Sequence, residues 1–320
     1  MKKKLKKWFK KLKETLKLMN KTITYIHDTS HILRIVIFFD LIWSRIFYGV
    51  SINEYRIFKF YTIKHSLRKT YLTKRKHDRF IKWNINKDIL PVINDKNKFD
   101  SRFKEFINRD IHDVNDISFK DFEEYNYKNK ELICRSKSSS FINSYKVYYL
   151  KDFRSPAFVS DKIKKDGLRL VEKNINCHKV LQGISNNLVF INVVTFCKKN
   201  NVTILASTIK FKDDNKVITG YVNYNKGVLN GNLKDEHDNV YSFFNNYELP
   251  FYDNIKKQAI KLALELSEIK EVEWSFTVNS RGTVLLMDAN IWDDTIFVQQ
   301  PEYLYNKVGL KPKFKKCNRD

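Results

Sequence analysis

Asp288 and Asn290 stand two positions apart in the run Val284-Leu285-Leu286-Met287-Asp288-Ala289-Asn290, which follows a Trp274 segment and an Arg281-Gly282 turn. The pattern predicts a β-hairpin whose second strand ends in an acid and an amide. Side chains two apart on a strand share a face, so both groups can converge on one cation. A hard ion such as Mg2+ takes oxygen ligands and bridges carboxylates to substrate phosphates. The hairpin is therefore a candidate nucleotide site. A D-x-N at a strand end is also a common turn former, so the assignment needs support from the rest of the chain.

With 320 residues, 42% of them hydrophobic and 14% aromatic, the chain can bury a large core and is not a disordered tail. Lys+Arg number 60 against 36 Asp+Glu, a formal charge of +24. Residues 1–90 hold 23 Lys/Arg and 6 Asp/Glu, so most of the excess sits in the front of the chain. A basic front half suits an anionic partner, either membrane phospholipid or nucleic acid. The abundance of Lys, Asn and Ile, with only 8 Gly and 5 Pro, has the look of an AT-rich coding bias, which inflates charge without function. Cys134, Cys177, Cys197 and Cys317 are far apart with no C-x-x-C pair, so neither a zinc site nor a disulfide framework is signalled, and a reducing, cytoplasmic compartment fits.

Residues 2–19 read as an amphipathic helix, with Leu5, Trp8, Phe9, Leu12, Leu16 and Met19 at helical spacing and nine lysines on the other face. That is the composition of an interfacial helix, peripheral at the inner face of the cytoplasmic membrane, and equally of a helix that packs its stripe on its own protein. Ile32 to Val50 is apolar, but Arg34, Asp40 and Arg45 interrupt it, which argues for a core helix and against a membrane span. The helical texture continues from Ser51 to Trp83, whose basic run Leu67 to Lys76 could contact phosphates. After Pro91 the texture becomes α+β. Strands are expected at Glu131–Cys134, Tyr145–Leu150, Leu168–Glu172, Leu188–Lys198, Val202–Phe211, Glu271–Val278 and Thr283–Ala289, and an amphipathic helix at Tyr252–Ile269. The organisation expected is a basic anchor over 1–30, a helical region over 31–90 and one α+β domain over 91–320.

Several stretches, in order, resemble the sugar-transfer associated ATP-grasp family over roughly residues 40 to 312. Asn94-Asp95-Lys96-Asn97-Lys98-Phe99 followed by Phe103 to Asp110 looks like the family's "n-K-x-x-F … F-x-x-y-x-g-R" opening segment. Leu170-Val171-Glu172-Lys173 with His178 is similar to its "v-E-x-x-i-x-Q-H" hinge. Ser185-Asn186-Asn187 and Asn192-Val193-Val194-Thr195 match "s-v-N-T-i-R-i-v-T" with changes. Val272-Glu273-Trp274-Ser275, Gly282, Asp288-Ala289-Asn290, Trp292-Asp293 and Gln299 stand where the family has "g-W-D … G-p … l-i-E-x-N … Q". The resemblance implies an ATP-grasp fold, two α+β lobes clamping ATP with Mg2+. Lys96 and Arg135 would then face the phosphates, Glu172 and His178 would lie at the hinge near adenine or ribose, and Asp288 and Asn290 would hold the cation.

The departures carry information too. The loop Ser136-Lys137-Ser138-Ser139-Ser140 has none of the glycines that let a backbone wrap phosphates. Asn192 replaces an arginine at a catalytic position, Ser275 stands where a metal-binding aspartate belongs, and Asp288 is shorter than the usual glutamate. Glu273 is not expected to substitute for the missing acid, on the argument that adjacent strand residues point to opposite faces. Either Asp293 or Asp294 rebuilds the site, or catalysis is weak or lost. The expected function is a carboxylate-amine ligase of cell-surface polysaccharide assembly, with an anionic sugar or lipid-linked glycan and an amine as substrates. The alternatives are an impaired relative that binds nucleotide or glycan, and a basic nucleic-acid-binding protein, for which no recognised motif exists.

Overall fold

A computed structural model describes residues 2–138, 140–236 and 238–319, and the chain divides into two compact units. The first comprises residues 1–83 together with 293–320, and the second residues 84–292.

The first unit is built on α1 (Lys2–Ser30) and α2 (Arg34–Phe47), followed by the shorter α3 (Ile52–Ile57), α4 (His65–Arg68) and α5 (Lys74–Asn84), the last of which ends at the division. α1 ends where His31 adopts a left-handed backbone, φ 58°. A capping box starts α3: Ser51 Oγ accepts from the Glu54 amide and the Glu54 carboxylate accepts from the Ser51 amide. The core gathers Ile23 and Ile26 of α1, Ile37 and Leu41 of α2, and the aromatic group Tyr55, Phe58, Phe60 and Tyr71. Gln299 returns to this unit, its amide bonded to the backbone of Leu72 in both directions at 2.8 Å. Contrary to the expectation of a core helix, α2 buries only Ile37, Leu41 and Ser44, and its other side lies exposed. No described helix is long and apolar enough to cross a membrane.

The second unit is α+β, as the sequence suggests. Helices α6 (Leu90–Asn94) and α7 (Lys96–Arg102) lead into strand β1 (Ile111–Asp113), α8 (Phe119–Lys128), β2 (Glu131–Arg135), α9 (Phe141–Ser144), β3 (Lys146–Tyr149), α10 (Pro156–Lys165) and β4 (Leu170–Lys173). These four strands form an antiparallel sheet in the order β1-β4-β2-β3. After α11 (Lys179–Gln182) come β5 (Val189–Lys198), β6 (Asn201–Asp213), β7 (Lys216–Asn223), β8 (Val228–Lys234) and β9 (Val240–Glu248), then α12 (Tyr252–Glu265), β10 (Glu271–Val278) and β11 (Val284–Asn290). They make a seven-stranded antiparallel sheet ordered β11-β10-β5-β6-β7-β8-β9. The β10–β11 turn is set by Asn279, whose Oδ1 accepts from the amides of Arg281 and Thr283, and by Gly282. Gly282 has φ 81°, and a Cβ there would meet the Phe251 ring at 2.7 Å, so only glycine fits.

The two faces of the large sheet differ in chemistry. Ile191, Val193, Ile209, Trp274 and Phe276 lie on one face, in a single core with Ile255, Ala259 and Leu262 of α12. The opposite face carries Phe190, Asn192, Thr208, Lys210, Glu273, Ser275, Asp288 and Asn290, as strand alternation and register require. Both faces are covered, which is why β10 is buried along its whole length.

Candidate functional site

Four charged pairs meet on and above the polar face. Lys96, the first residue of α7, places Nζ 2.5 Å from Asp288 Oδ1 and 3.1 Å from the Ile93 carbonyl. Both partners are buried, Lys96 at 2% and Asp288 at 1% exposure. Asp288 is fully engaged: Oδ1 also accepts from the Ala289 amide, and Oδ2 accepts from the Phe141 amide at 2.8 Å and from Asn290 Nδ2 at 3.1 Å. Asn290 is thus oriented by Asp288 itself. On the smaller sheet, Arg135 ends β2 and Glu172 lies in the adjoining β4. Arg135 Nη2 donates to Asp100 at 3.0 Å, and its Nε lies 3.5 Å from Glu172 Oε1. Arg109 donates to the other oxygen of Glu172 and, through Nη2, to the Met287 carbonyl at 3.3 Å, which ties the two sheets together. That carbonyl belongs to a β-bulge: Ser275 pairs with Asp288 but Phe276 with Leu286, leaving Met287 without a partner. The fourth pair is Lys210–Glu273 at 2.9 Å.

Of the residues singled out in the sequence, the structure brings Lys96, Arg135, Glu172, Asn192, Asp288 and Asn290 into one neighbourhood. Asn192 sits between Ser275 and Thr208 in register and is 2% exposed. His178 is not in the group; it caps α11, accepting from the Val180 amide at 3.3 Å, with its ring edge on Phe251. The loop after β2 runs directly over the site, since Lys137 O accepts from the Lys96 amide and Phe141 N reaches Asp288; Ser139 in this loop lies outside the described residues. Asp293 and Asp294 belong to the first unit.

One expectation is corrected. Glu273 lies two positions before Ser275, not next to it, so the two share a face, and Glu273 pairs across β11 with Asn290 while Ser275 pairs with Asp288. An acid is therefore present on the correct face, one step along from the serine. Sequence reasoning also passed over Asp100, although its position four residues after Lys96 puts both on one side of α7. Lys210 and Thr208 gave no signal because only register brings them beside Glu273 and Asn192.

Burial pushes the Asp100 carboxyl above the usual carboxylate range, and the charges of Arg135 and Arg109 pull it partly back. Several buried polar atoms of the cluster make no hydrogen bond: Asn192 Oδ1 and Thr208 Oγ1 on this face, Arg109 Nε and Arg135 Nη1 beside it, and Arg135 Nε and Glu172 Oε1, which face each other only as an ion pair. Such atoms are costly unless something satisfies them. Lys96, Arg109, Arg135 and Lys210 match Asp100, Glu172, Glu273 and Asp288 in number, so the formal charges of the cluster cancel. A cleft of about 600 Å3 opens beside it, lined by Asp100, Asp113, Asp116 and Asp121 among others.

The donor set suits a hard cation in type, because Asp288, Asn290 and Glu273 bring oxygens to one face. Its arrangement is another matter: among the described residues no group of three His, Cys, Asp or Glu is placed to hold a metal ion. With each of its oxygens already accepting two hydrogen bonds, Asp288 can take a cation only by giving up one of its present donors.

No family model matches the sequence, and no curated protein matches it. Solved structures similar to the chain include N5-carboxyaminoimidazole ribonucleotide synthetase from Thermotoga maritima, at 9% identity and TM-score 0.38 over 63% of this chain and 42% of that one. An ADP complex of a synthetase of the same name gives 10% and 0.42 over 69% and 52%. D-alanyl-alanine synthetase A from Vibrio cholerae gives 9% and 0.40 over 72% and 61%. The chain spans about half the length of the first of these structures. At such identities and TM-scores the site has to be judged on its own geometry.

Proposed function

We propose that the chain is an ATP-grasp protein that uses ATP with Mg2+ to join a carboxylate to an amine. The reading rests on the buried cluster that bridges the two sheets, four cationic and four acidic side chains beside polar atoms that make no hydrogen bond. Lys96 and Arg135 would neutralise phosphate oxygens, Glu172 would accept from a ribose hydroxyl, and Asp288, Asn290 and Glu273 would hold the cation. Bound Mg2+ supplies charge neutralisation and phosphate orientation. Because the formal charges of the cluster cancel, a triphosphate entering alone would bring uncompensated charge into a buried site. Binding is therefore expected to need the cation and to exchange the Lys96–Asp288 pair for Lys96–phosphate and Asp288–cation contacts.

In the reaction, a carboxylate oxygen takes the terminal phosphoryl group of ATP and ADP leaves. The amine nitrogen then attacks the acyl carbon, phosphate departs and the amine loses a proton. Positioning and charge neutralisation are the protein's share. The acidic cleft beside Asp100 suits a cationic amine. For the acid, the sequence resemblance supports an anionic sugar or lipid-linked glycan of cell-surface polysaccharide assembly. The decisive test is calorimetry with ATP, with and without magnesium, followed by ADP release with uronic acid and amine pairs. Absence of magnesium-dependent ATP binding defeats the reading.

A second reading, a relative that binds nucleotide but turns over slowly or not at all, is favoured by one observation: Ser275 faces Asp288 across the strands, where the resemblance implies an acid, and Lys96 already compensates Asp288. Magnesium-dependent ATP binding without ADP release for any acid and amine pair selects it.

A further inference from the structure

The first unit exposes two apolar helix faces. On α1, Leu5, Trp8, Phe9, Leu12 and Leu16 are all exposed, so this stripe does not pack on its own unit; among the described side chains of the helix only Thr22, Ile23 and Ile26, near the other end, are buried. On α2, Ile35, Phe39, Trp43, Ile46 and Phe47 recur every three to four residues on the side opposite the buried Ile37, Leu41 and Ser44. Phe39 is 62% exposed and Ile46 70%, and the Trp43 and Phe47 rings stack at 3.9 Å between centroids. Scattered surface apolar residues need no explanation, but a continuous stripe of this size on a folded unit marks an interaction surface.

The charge around these stripes identifies the partner. Lys6, Lys7, Lys10, Lys11, Lys13 and Lys17 are exposed on α1, where Glu14 is the sole acid before Asp28. Arg34 and Arg45 are exposed on α2, while its acid, Asp40, is turned into the unit to accept from Tyr55 and Arg68. Aromatic and aliphatic side chains flanked by cations, on helices not apolar enough to span, fit the interfacial region of an anionic bilayer. We propose that α1 and the outer face of α2 together dock this protein on an anionic phospholipid surface, with Trp43 and Phe47 inserted below the headgroups. The α2 face makes this a two-point contact in which the folded unit, and not α1 alone, meets the membrane.

The test is flotation of the full chain with vesicles of phosphatidylcholine alone or mixed with phosphatidylglycerol. Comparison variants are Trp43→Ser with Phe47→Ser, and Lys6, Lys7, Lys10 and Lys11→Glu; circular dichroism checks that each is folded. The native chain is expected to prefer the anionic vesicles by about tenfold at low salt and to lose most of that preference at about 1 M salt. The Trp43/Phe47 variant should bind about five- to tenfold more weakly although every lysine remains. The lysine variant should lose the anionic preference, and native tryptophan emission should shift to the blue on binding. Equal binding by the native and Trp43/Phe47 chains overturns the α2 contact, and equal binding to both vesicle types overturns the anionic surface. A lipid-free dimer that the Trp43/Phe47 change converts to monomer assigns the face to a second copy and defeats the proposal. No nucleotide enters the assay, so its outcome is independent of the ligase reading.

Discussion

Lys96 Nζ lies 2.5 Å from Asp288 Oδ1, joining residues 192 positions apart at a buried point where the start of α7 meets the end of β11. Either charge alone in that position would be uncompensated. Lys96→Met or Asp288→Asn should each destabilise the protein by about 3–5 kcal/mol, and the double variant should cost well under the sum. Urea unfolding of the four proteins measures the coupling; strict additivity would show that the pair does not act as one. Asp288→Asn therefore weakens the fold as well as any cation site, and ligand binding by this variant has to be read on the folded fraction.

Ser275→Asp puts a second carboxylate directly across from Asp288. Facing like charges repel, so stability without divalent cations should fall by at least about 1 kcal/mol. A cation between the two acids relieves the repulsion, so magnesium should raise the melting temperature of the variant by several degrees more than that of the native chain. A variant and native chain with the same response to magnesium would mean that the row Asn192, Ser275, Asp288 does not point into a cation site.

How much of this was legible in the sequence depended on whether local pattern or pairing set the feature. Glu271–Val278 shows strand texture in its own residues and forms β10 over that span. The strands β7 to β9 were missed because their signal is weak: Gly220, Gly231 and several asparagines interrupt them, and β9 is exposed along most of its length at the sheet edge. Gly220 is there for packing, since a Cβ would come within 2.3 Å of Leu233. Asp288 and Asn290 were visible through their spacing. Their engagement with Lys96 and Phe141 was not, because it depends on a loop and a helix that reach the hairpin only in three dimensions. In Ile32–Val50, apolar content suggested burial, yet composition alone does not say which of two apolar stripes meets the core.

Asp166 gives a pH-dependent prediction away from the site. Lys162, then Tyr148 and Lys146, hold its carboxyl well below the usual range through hydrogen bonds of 3.0, 2.8 and 3.2 Å. A depressed folded-state pKa gives stability that is complete above the ordinary carboxylate value and is lost as pH falls toward the depressed one. The melting-temperature gap between native protein and Asp166→Asn should stay constant from neutrality to about pH 5 and close below about pH 3. A gap that persists unchanged at the lowest pH would assign the effect to packing.

Arg135 controls the opposite case. The Asp100 carboxyl is pushed up by burial and pulled partly back by Arg135 and Arg109. With the folded-state pKa raised, the protonated acid is favoured on folding, so the contribution of Asp100 is greatest below the ordinary carboxylate value and declines as pH climbs through the raised one. Arg135→Met removes the main counter-charge, so Asp100 should rise further and the variant should lose stability more steeply than native protein between about pH 4 and 7. Arg135→Lys keeps the charge. It cannot serve Asp100 and Glu172 with one planar group, so it should cost about 1–3 kcal/mol with a pH slope close to native. If the cluster binds nucleotide, Arg135→Lys should keep magnesium-dependent ATP affinity within about threefold while Arg135→Met loses at least about tenfold, the cost of one charge-assisted contact. Urea midpoints across pH and calorimetry on the same samples decide both points: parallel pH profiles for all three proteins would remove Arg135 as the partner of Asp100, and equal ATP affinity in all three would remove it from the phosphate site.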